Sequence, residues 1–484
     1  MRKIFAMLWL FPPVLMAADM QPFEAANPLI ADGSVYTADP APFVADGKLY
    51  VLTGIDEAEP DINDFVMPAW ALFETDNPGG TAWKKQVPLL KPEAVFSWAQ
   101  PARAYAGQIF PAQDGMFYLF APVKLKEKQY DDNFAIGVAV APSPQGPWTD
   151  AIGKPLVDQG VAGAGDLQNI DPTIWQDDSG KITMIWGTFG ELRGVELTPD
   201  MRSLKGNVRT LTGATGFFEA PWLLERNGTY YLFYAANNRK GGIEAGCSPT
   251  LYHACIAWAT ADSPLGEWHY QGVMLPPVSS TTSHPGIVQY HNDWWLFYHT
   301  ADGKNGGTFR RSVARDKLTW DDSVSPATPM VTSTSISHNT HHKTGNKAYS
   351  ARVTSSSTAL PIRFWLDAVN NGKVRNHPLP PELWSTEGSD EGTSAWLQYR
   401  FKESQSVAKM RFNHISYNTA GTFSWTLEAL INSHWDTVTS GKVSTDSNWV
   451  EARFGAVDAS EWRLRLPVKD SADEYILIQE WELY

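Results

Sequence analysis

Hydrophobic positions in the first two thirds of the chain form short dense runs, and each run directly follows a turn pair. The pairs are Asp-Gly, Ser-Gly, Asn-Gly or Asn-Asp, and apolar and aromatic residues follow them at 49–52, 116–120, 182–186, 230–234 and 294–298. Successive turns are about 68, 65, 48 and 65 residues apart, which is the period of a propeller blade with its loops. The pattern therefore predicts five blades.

A second strand-like run begins about nine residues before each turn, so the two runs predict a hairpin. In a propeller the first strand of each blade lies innermost, around a central channel. Equivalent positions in the five copies should then lie at equivalent places around the axis. These positions hold Asp39, Ala106, Asp171, Glu219 and His284.

Four of these five positions hold an ionisable residue, which suggests that these residues have a function. Like charges that converge on one point repel each other and resist ionising together, so the arrangement is costly without a purpose. The structural alternative is that Asp39-Pro40 and Asp171-Pro172 only mark turns, because Asp is common at turn starts and Pro restricts the backbone. We favour function, since the same offset recurs in four blades.

The repeat stops after Trp320, and the composition then changes. A stretch rich in Ser, Thr, His and Asn predicts a linker at 329–345. Several later segments alternate apolar and polar residues, which is typical of strands with one wet face. We therefore expect an all-β chain, with a five-bladed β-propeller at 19–328 and a β-sandwich of the jelly-roll or galactose-binding-like kind at 346–484.

The N-terminus has the layout of a secretory signal peptide. Met1-Arg2-Lys3 is followed by an apolar run to Met16 and by two alanines, and this run is shorter than the roughly 20 residues that a membrane span requires. We predict a signal peptide at 1–18, export to the periplasm or the medium, and no membrane insertion.

Composition narrows the possible partners. The 484 residues carry a net charge of -14 and include 21 Trp. The negative charge argues against nucleic acid and anionic membranes, whereas a neutral polysaccharide is compatible with it and aromatic faces stack on sugar rings. Cys247 and Cys255 are the two cysteines. They could form a disulfide in an oxidising compartment or remain buried thiols. We expect a monomer.

The ordered motifs resemble glycoside hydrolase family 43. The resemblance covers about residues 28–325, and its motifs are 38–40, 169–173, 218–222, 283–286 and 306–312. It implies a five-bladed propeller and an inverting exo-enzyme that releases arabinofuranose or xylose from plant cell-wall glycans. The stretch 96–108 is most similar to the arabinofuranosidase side of the family.

The resemblance also implies roles for single residues. Asp39 would be the general base, Glu219 the general acid, and Asp171 the residue that orients the acid and raises its pKa. His284 would help to hold channel water or a calcium ion, the one cofactor expected, and Arg311 would contact substrate.

Aromatic walls for the sugar are a separate prediction from the residues. We expect Phe43 and Trp98 to stack on the sugar, and the alternative for both is a place in the hydrophobic core. Residues 366–372, 384–385 and 396–399 resemble discoidin-like carbohydrate-binding modules. That resemblance leaves glycan binding and simple packing against the propeller open.

Several functions remain open from the sequence. The first is an α-L-arabinofuranosidase acting on arabinan or arabinoxylan. The second is a β-xylosidase, or an enzyme that acts on another pentofuranosyl or galactosyl linkage. A sugar-binding propeller without activity and a retaining sucrose or fructan enzyme are further alternatives. The complete set of Asp39, Asp171 and Glu219 argues against the inactive binder, since a lectin does not need a buried acid and base.

Overall fold

The protein is described by a computed structural model that covers residues 19–484 except 60–61, 63, 166–167, 238–253, 276–277, 279–281, 332–344, 357–368, 371, 373, 375–383, 387–393, 418–420, 446 and 469–474. The predicted signal peptide at 1–18 and most of the predicted linker lie outside the described residues. So does Cys247, whereas Cys255 is buried and disulfide-bonded. Within the described part of the chain, every helix is too short or too polar to cross a membrane.

Five antiparallel sheets follow one another along the chain, as the repeat predicts. Blade 1 contains β1 Gln21–Glu24, β2 Tyr36–Ala45, β3 Lys48–Asp56, β4 Trp70–Thr75 and β5 Ala82–Leu90. Blade 2 contains β6 Gln108–Pro111, β7 Phe117–Lys124, β8 Phe134–Ala141 and β9 Thr149–Asp150. Blade 3 contains β10 Thr173–Gln176, β11 Ile182–Thr188, β12 Glu191–Leu197 and β13 Leu204–Thr210.

The last two blades have the same four-stranded form. Blade 4 contains β14 Phe217–Arg226, β15 Thr229–Ala236, β16 Cys255–Ala261 and β17 His269–Leu275. Blade 5 contains β18 Gly286–Tyr290, β19 Asp293–Thr300, β20 Ser312–Asp321 and β21 Thr328–Met330. Strand β21 completes blade 5, so the propeller ends two residues beyond the predicted boundary at 328. A four-residue helix α1, Pro92–Val95, connects blades 1 and 2.

One strand of each blade lies innermost, next to the axis. Strands β2, β6, β10, β14 and β18 each contact the next around a ring, and β18 contacts β2 to complete it. The prediction of a five-bladed propeller is confirmed. The five hydrophobic runs form the second strands β3, β7, β11, β15 and β19, which are buried on both sides by neighbouring strands and blades.

Backbone hydrogen bonds between blades 1 and 5 close the ring. The Leu29 N–H donates to the Val313 carbonyl at 2.8 Å, and the Thr37 N–H donates to the Arg311 carbonyl at 2.9 Å. Indole groups connect other blades: Trp70 donates to the Tyr105 carbonyl at 2.7 Å, and Trp222 donates to the Ile287 carbonyl at 2.9 Å. A buried Trp adds large apolar contact area while its N–H is satisfied, so these contacts hold the inner strands in fixed relative positions.

The C-terminal region is a further β-sheet domain with its own hydrophobic core. Its elements are the 3-10 turn η1 Ala348–Ser350 and the strands β22 Arg352–Ser355, β23 Trp384–Ser385, β24 Ser394–Tyr417, β25 Thr422–Ile431, β26 His434–Ser444, β27 Trp449–Pro467 and β28 Tyr475–Leu483. The sequence predicts two strands at 396–401 and 407–412. The structure has the single strand β24 there, because β27 continues to pair with it across two register shifts.

Candidate active site

The starts of the inner strands meet at one pocket. It has a volume of about 260 Å³, and the five positions selected by the repeat, Asp39, Ala106, Asp171, Glu219 and His284, all line it. Arg311 lines the same pocket. Alanine at the blade 2 position leaves room between the charged groups of the other blades.

Local backbone geometry aims these carboxylates. Asp39 and Asp171 both have a left-handed backbone, with φ of 56° and 58°, and both precede proline. Asp adopts this region more readily than most residues. In blade 4 the left-handed residue before proline is Ala220, with φ of 58°, so Glu219 lies one position earlier than its counterparts. Register shifts on both sides of Glu219 interrupt the pairing of β14 with β15.

Asp39 is surrounded by cationic and polar groups. Its Oδ1 accepts a hydrogen bond from Arg311 Nη1 at 2.9 Å, and it lies 3.2 Å from His299 Nδ1 and 3.5 Å from His284 Nδ1. Burial alone would raise the pKa of Asp39, but the Arg311 guanidinium and the nearby imidazoles outweigh burial and hold that pKa well below its usual range. Asp39 is therefore ionised at neutral pH.

Asp171 and Glu219 behave in the opposite way. Burial, followed by the charges of Glu219 and Asp39, raises the pKa of Asp171 well above its ordinary value. Burial and the charge of Asp39 raise the pKa of Glu219 to about 7. The two groups titrate together, so the proton belongs to the pair. The pocket thus holds an ionised carboxylate opposite a pair that retains a proton near neutral pH.

Hydrogen bonds also fix the position of the pair. Asp171 Oδ2 accepts the Ala220 backbone N–H at 3.0 Å, which anchors the residue next to Glu219. The Thr188 hydroxyl donates to Glu219 Oε2 at 3.4 Å. Asp171 is therefore hydrogen-bonded to the segment that carries Glu219.

Arg311 is held by a residue that sequence reasoning missed. Its Nε and Nη2 donate to the Asp56 carboxylate at 2.8 and 3.0 Å, and its backbone N–H donates to Asp56 Oδ2 at 2.9 Å. The Asp56 side chain is completely buried. Asp56 ends β3 in blade 1, and the offset that selects the inner-strand residues does not include this position. The bidentate pair leaves Arg311 Nη1 directed at Asp39.

We expect Asp56→Asn to lower kcat by up to about 100-fold, because small displacements of groups around a reacting centre can cost that much. The neutral amide loses one charge-assisted contact, and Arg311 then holds Asp39 less firmly. Initial rates of the folded variant, measured below its unfolding temperature, test this prediction. Asp76→Asn, at an exposed position in the turn between β4 and β5 of the same blade, is the matched control. A wild-type kcat for folded Asp56→Asn would contradict the role.

The calcium ion predicted at His284 stays a prediction, and the protein atoms around His284 offer it few oxygen ligands. Ca²⁺ takes six to eight oxygen ligands, whereas the neighbours of His284 include Asp39 Oδ1, already bound to Arg311, and the His299 ring at 6.2 Å. Among the described residues, no group of three or more His, Cys, Asp or Glu is placed to hold a metal ion. Burial lowers the pKa of His284 to about 4, so its imidazole is neutral and acts as a polar wall of the pocket.

Phe43 and Trp98 do not line this pocket. Phe43 is stacked on Tyr50 with ring centroids 5.3 Å apart and belongs to the hydrophobic core. Trp98 packs on Phe96 and donates its indole N–H to Asp150 at 2.9 Å, beside a separate surface cavity. Alternation along β2 directs Phe43 into the space between blades, which corrects the expectation that these rings stack on the sugar.

Other apolar side chains form the pocket walls. Phe65, Met67, Tyr105, Phe134 and Phe189 line it. Phe189 is 43% exposed and packs edge-on against Phe218, so its ring is available at the pocket mouth. These residues come from loops and strand ends of blades 1 to 3, and no repeated pattern in the sequence marks them.

Comparisons with known proteins identify the family to which the chain is similar. The model of the family described as "Glycosyl hydrolases family 43" matches residues 80–325. A xylosidase/arabinosidase of Bacteroides ovatus is 28% identical over 330 residues, which cover 59% of this chain and 92% of that protein.

Solved structures also resemble the chain. A β-xylosidase/α-arabinofuranosidase from a compost metagenome, determined with xylotriose in a calcium-free form, is 27% identical with a TM-score of 0.51, covering 65% of this chain and 98% of its own. An arabinoxylan arabinofuranohydrolase from Bacillus subtilis shares the fold over 94% of this chain and 98% of its own, at 18% identity and a TM-score of 0.51.

Proposed function

The chain belongs to glycosyl hydrolase family 43, and from this premise we propose that it is an inverting, exo-acting α-L-arabinofuranosidase that acts on arabinan or arabinoxylan. Asp39 is the general base, Glu219 the general acid, and Asp171 the partner that orients the acid. The observation that carries the proposal is the charge arrangement of the pocket. One carboxylate is kept ionised by Arg311, and the opposing pair keeps a proton.

These states match the two tasks of inverting hydrolysis. Asp39 removes a proton from a water molecule as the water oxygen bonds to the anomeric carbon. The bond between that carbon and the glycosidic oxygen breaks, and Glu219 gives its proton to the departing oxygen. The sugar leaves with inverted anomeric configuration. Asp39 then carries the proton taken from water, and Glu219 is an anion until both exchange with solvent.

The size of the pocket supports release of one terminal sugar. Its volume of about 260 Å³ is below the ~300–1,000 Å³ typical of pockets for drug-sized ligands. Phe65 and Met67 offer apolar surface to the C–H face of a sugar, and Gln168 and Lys124 offer polar groups to its hydroxyls. A single pentosyl residue fits these dimensions better than a length of polysaccharide chain.

A β-xylosidase is the second candidate. The Bacteroides ovatus relative is named as both xylosidase and arabinosidase, and the compost structure has both activities in its title. The two sugars are isomers, so the same acid and base would serve either. The shape of the pocket loops decides between them.

We expect faster hydrolysis of 4-nitrophenyl α-L-arabinofuranoside than of 4-nitrophenyl β-D-xylopyranoside, and first release of the inverted anomer. Initial rates on both glycosides, product analysis on branched arabinan and arabinoxylan, and proton NMR in the first minutes of reaction test these points. A preference for the xyloside would select the second candidate. First release of the retained anomer would exclude Asp39 as a general base.

The partner of the enzyme is then a plant cell-wall polysaccharide or an oligosaccharide cut from it. A secreted or periplasmic location would bring the enzyme to that substrate and allow the Cys255 disulfide to persist.

Retention of the isolated 331–484 region on arabinan, arabinoxylan and galactan gels tests whether the C-terminal domain binds glycan.

A further inference from the structure

A chain of buried hydrogen bonds connects the backbone of Asp39 with the side chain of Glu219. The Asp39 N–H donates to His299 Nδ1 at 3.1 Å, and His299 Nε2 lies 2.8 Å from the Thr282 hydroxyl. The Thr282 side chain also lies close enough to Glu219 for its hydrogen bond to lower the pKa of that carboxyl group. His299 is completely buried and Thr282 is 3% exposed, so water does not compete freely for these groups.

The first contact sets the direction of the whole chain. His299 Nδ1 lies 3.1 Å from the Asp39 backbone nitrogen and 3.2 Å from Asp39 Oδ1. The backbone N–H can only donate, so we assign Nδ1 as its acceptor and place the proton of the neutral ring on Nε2. Burial, followed by the charge of Arg311, lowers the pKa of His299, which keeps the ring neutral. Nε2–H then donates to the Thr282 oxygen, and the one Thr282 hydroxyl proton is left to donate to Glu219.

We propose that His299 and Thr282 are positioning residues that hold the general acid Glu219 at a set distance and orientation from the strand that carries the base. The inference rests on the proposed function, since it assigns a purpose to contacts between the proposed base and acid. Neither residue is assigned a chemical step. His299 belongs to blade 5, Thr282 precedes β18, and Glu219 belongs to blade 4, so the chain joins three separate parts of the ring.

The Thr282 backbone is well placed to hold the acid still. The hydroxyl of the next residue, Ser283, donates to the Ala254 carbonyl at 2.7 Å, which attaches this segment to blade 4. Thr188 contacts the Glu219 carboxyl from blade 3. A general acid must come within about 2.6–3.2 Å of the oxygen that it protonates. Loss of the Thr282 hydroxyl removes one of the contacts that limit rotation of Glu219.

The loss of rate in a Thr282 variant should depend on the leaving group if Thr282 positions the acid. A general structural role would not produce this dependence. Substrates with a poor leaving group need protonation by Glu219, whereas 2,4-dinitrophenolate departs with little help. A loosened pocket would slow both kinds of substrate alike. The charged or titratable groups that line the pocket with Glu219 are Asp39, Asp64, Arg103, Tyr105, Lys124, Asp171, His284 and Arg311. His299 lies behind them against Asp39 and Thr282, and Thr282→Val leaves all of these groups in place.

We expect Thr282→Val to lower kcat/KM about 10- to 100-fold on arabino-oligosaccharides and much less on the 2,4-dinitrophenyl glycoside. The upper pH limit of activity should also move to higher pH, because the lost donor stabilised the Glu219 anion. Thr282→Ser keeps the hydroxyl and should restore both properties. Equal losses on the two substrates, or no loss on either, would overturn the proposal.

Two further comparisons complete the test. If His299 acts through Thr282, the double variant His299→Leu with Thr282→Val should lose no more on oligosaccharides than the larger single loss, because coupled residues are not additive. Additive losses would remove His299 from the chain. Should the leucine variant not fold, Thr282→Val and Thr282→Ser still decide the role of Thr282. Activity retained by Asp39→Asn and Glu219→Gln would instead reject the proposed function itself.

Discussion

Asp39→Asn is expected to lower kcat by about 10²- to 10⁴-fold on every substrate, which is the usual contribution of a general base. The loss should extend to the 2,4-dinitrophenyl glycoside, because water still has to lose a proton when the leaving group is good. The neutral amide keeps the shape of the side chain, and Arg311 retains its bidentate contact with Asp56. Steady-state kinetics on activated and natural substrates measure the effect.

Asp46→Asn is the matched control for this variant. Asp46 is an exposed residue of the hairpin turn between β2 and β3 in the same blade, and its replacement should leave kcat within about twofold, as expected of surface changes. Circular dichroism and thermal unfolding establish that both variants are folded. A folded Asp39→Asn enzyme with near wild-type kcat would show that the base lies elsewhere.

Glu219→Gln is expected to show a loss that depends on the leaving group. On arabino-oligosaccharides kcat/KM should fall about 10²- to 10⁴-fold, because the amide has no proton to give to the departing oxygen. On the 2,4-dinitrophenyl glycoside the loss should be far smaller. The contrast with Asp39→Asn, which slows both substrates, assigns the acid and the base separately.

The pH profile provides a second readout of the same variant. Glu219 acts only while protonated and its pKa is raised to about 7, so wild-type kcat/KM should decline as the pH rises through about 7. Asp39 has a lowered pKa, so the loss of kcat/KM on the acidic side of the pH profile should occur well below neutral pH. In Glu219→Gln the decline near pH 7 should vanish on the activated substrate. Persistence of that limb would assign it to another group.

Glu225→Gln is the control for Glu219→Gln. Glu225 lies on the same strand, β14, where it accepts the Gly228 N–H next to the hairpin turn. Glutamine keeps an oxygen that can accept this bond, so both the rate and the pH profile should stay close to wild type. If the decline of kcat/KM near pH 7 also shifted in Glu225→Gln, the effect of Glu219→Gln could come from the loss of any negative charge on β14.

The repeat of hydrophobic runs made the propeller predictable. Runs such as 230–234 must be buried on two sides, and stacking of blades around an axis satisfies this requirement for every copy at once. The same regularity brought Asp39, Asp171, Glu219 and His284 into one pocket. The repeat was less accurate for single residues. In blades 1 and 3 the carboxylate residue itself has the left-handed backbone, whereas in blade 4 Glu219 comes one position before the left-handed residue Ala220.

Contacts between blades were not predictable from the repeat. Asp56 and Arg311 are 255 residues apart, and Thr282 lies two residues before His284, outside the position that the comparison of the blades selects. The aromatic assignments failed for a related reason. A large aromatic ring such as Phe43 can pack in a hydrophobic core or stack on a sugar. Which of the two occurs depends on where the strand directs the side chain in the folded blade, and Phe43 lies in the core.

The amino-acid sequence by itself determined the number of blades, the innermost strands and the carboxylates that converge on the axis, because these follow from local periodicity repeated along the chain. Only the tertiary structure decided how those carboxylates differ. Asp39 contacts Arg311 because blade 5 packs against blade 1 in the folded ring, while Asp171 and Glu219 are buried together. Burial and through-space charge separate their pKa values, and both depend on neighbours that are distant in sequence.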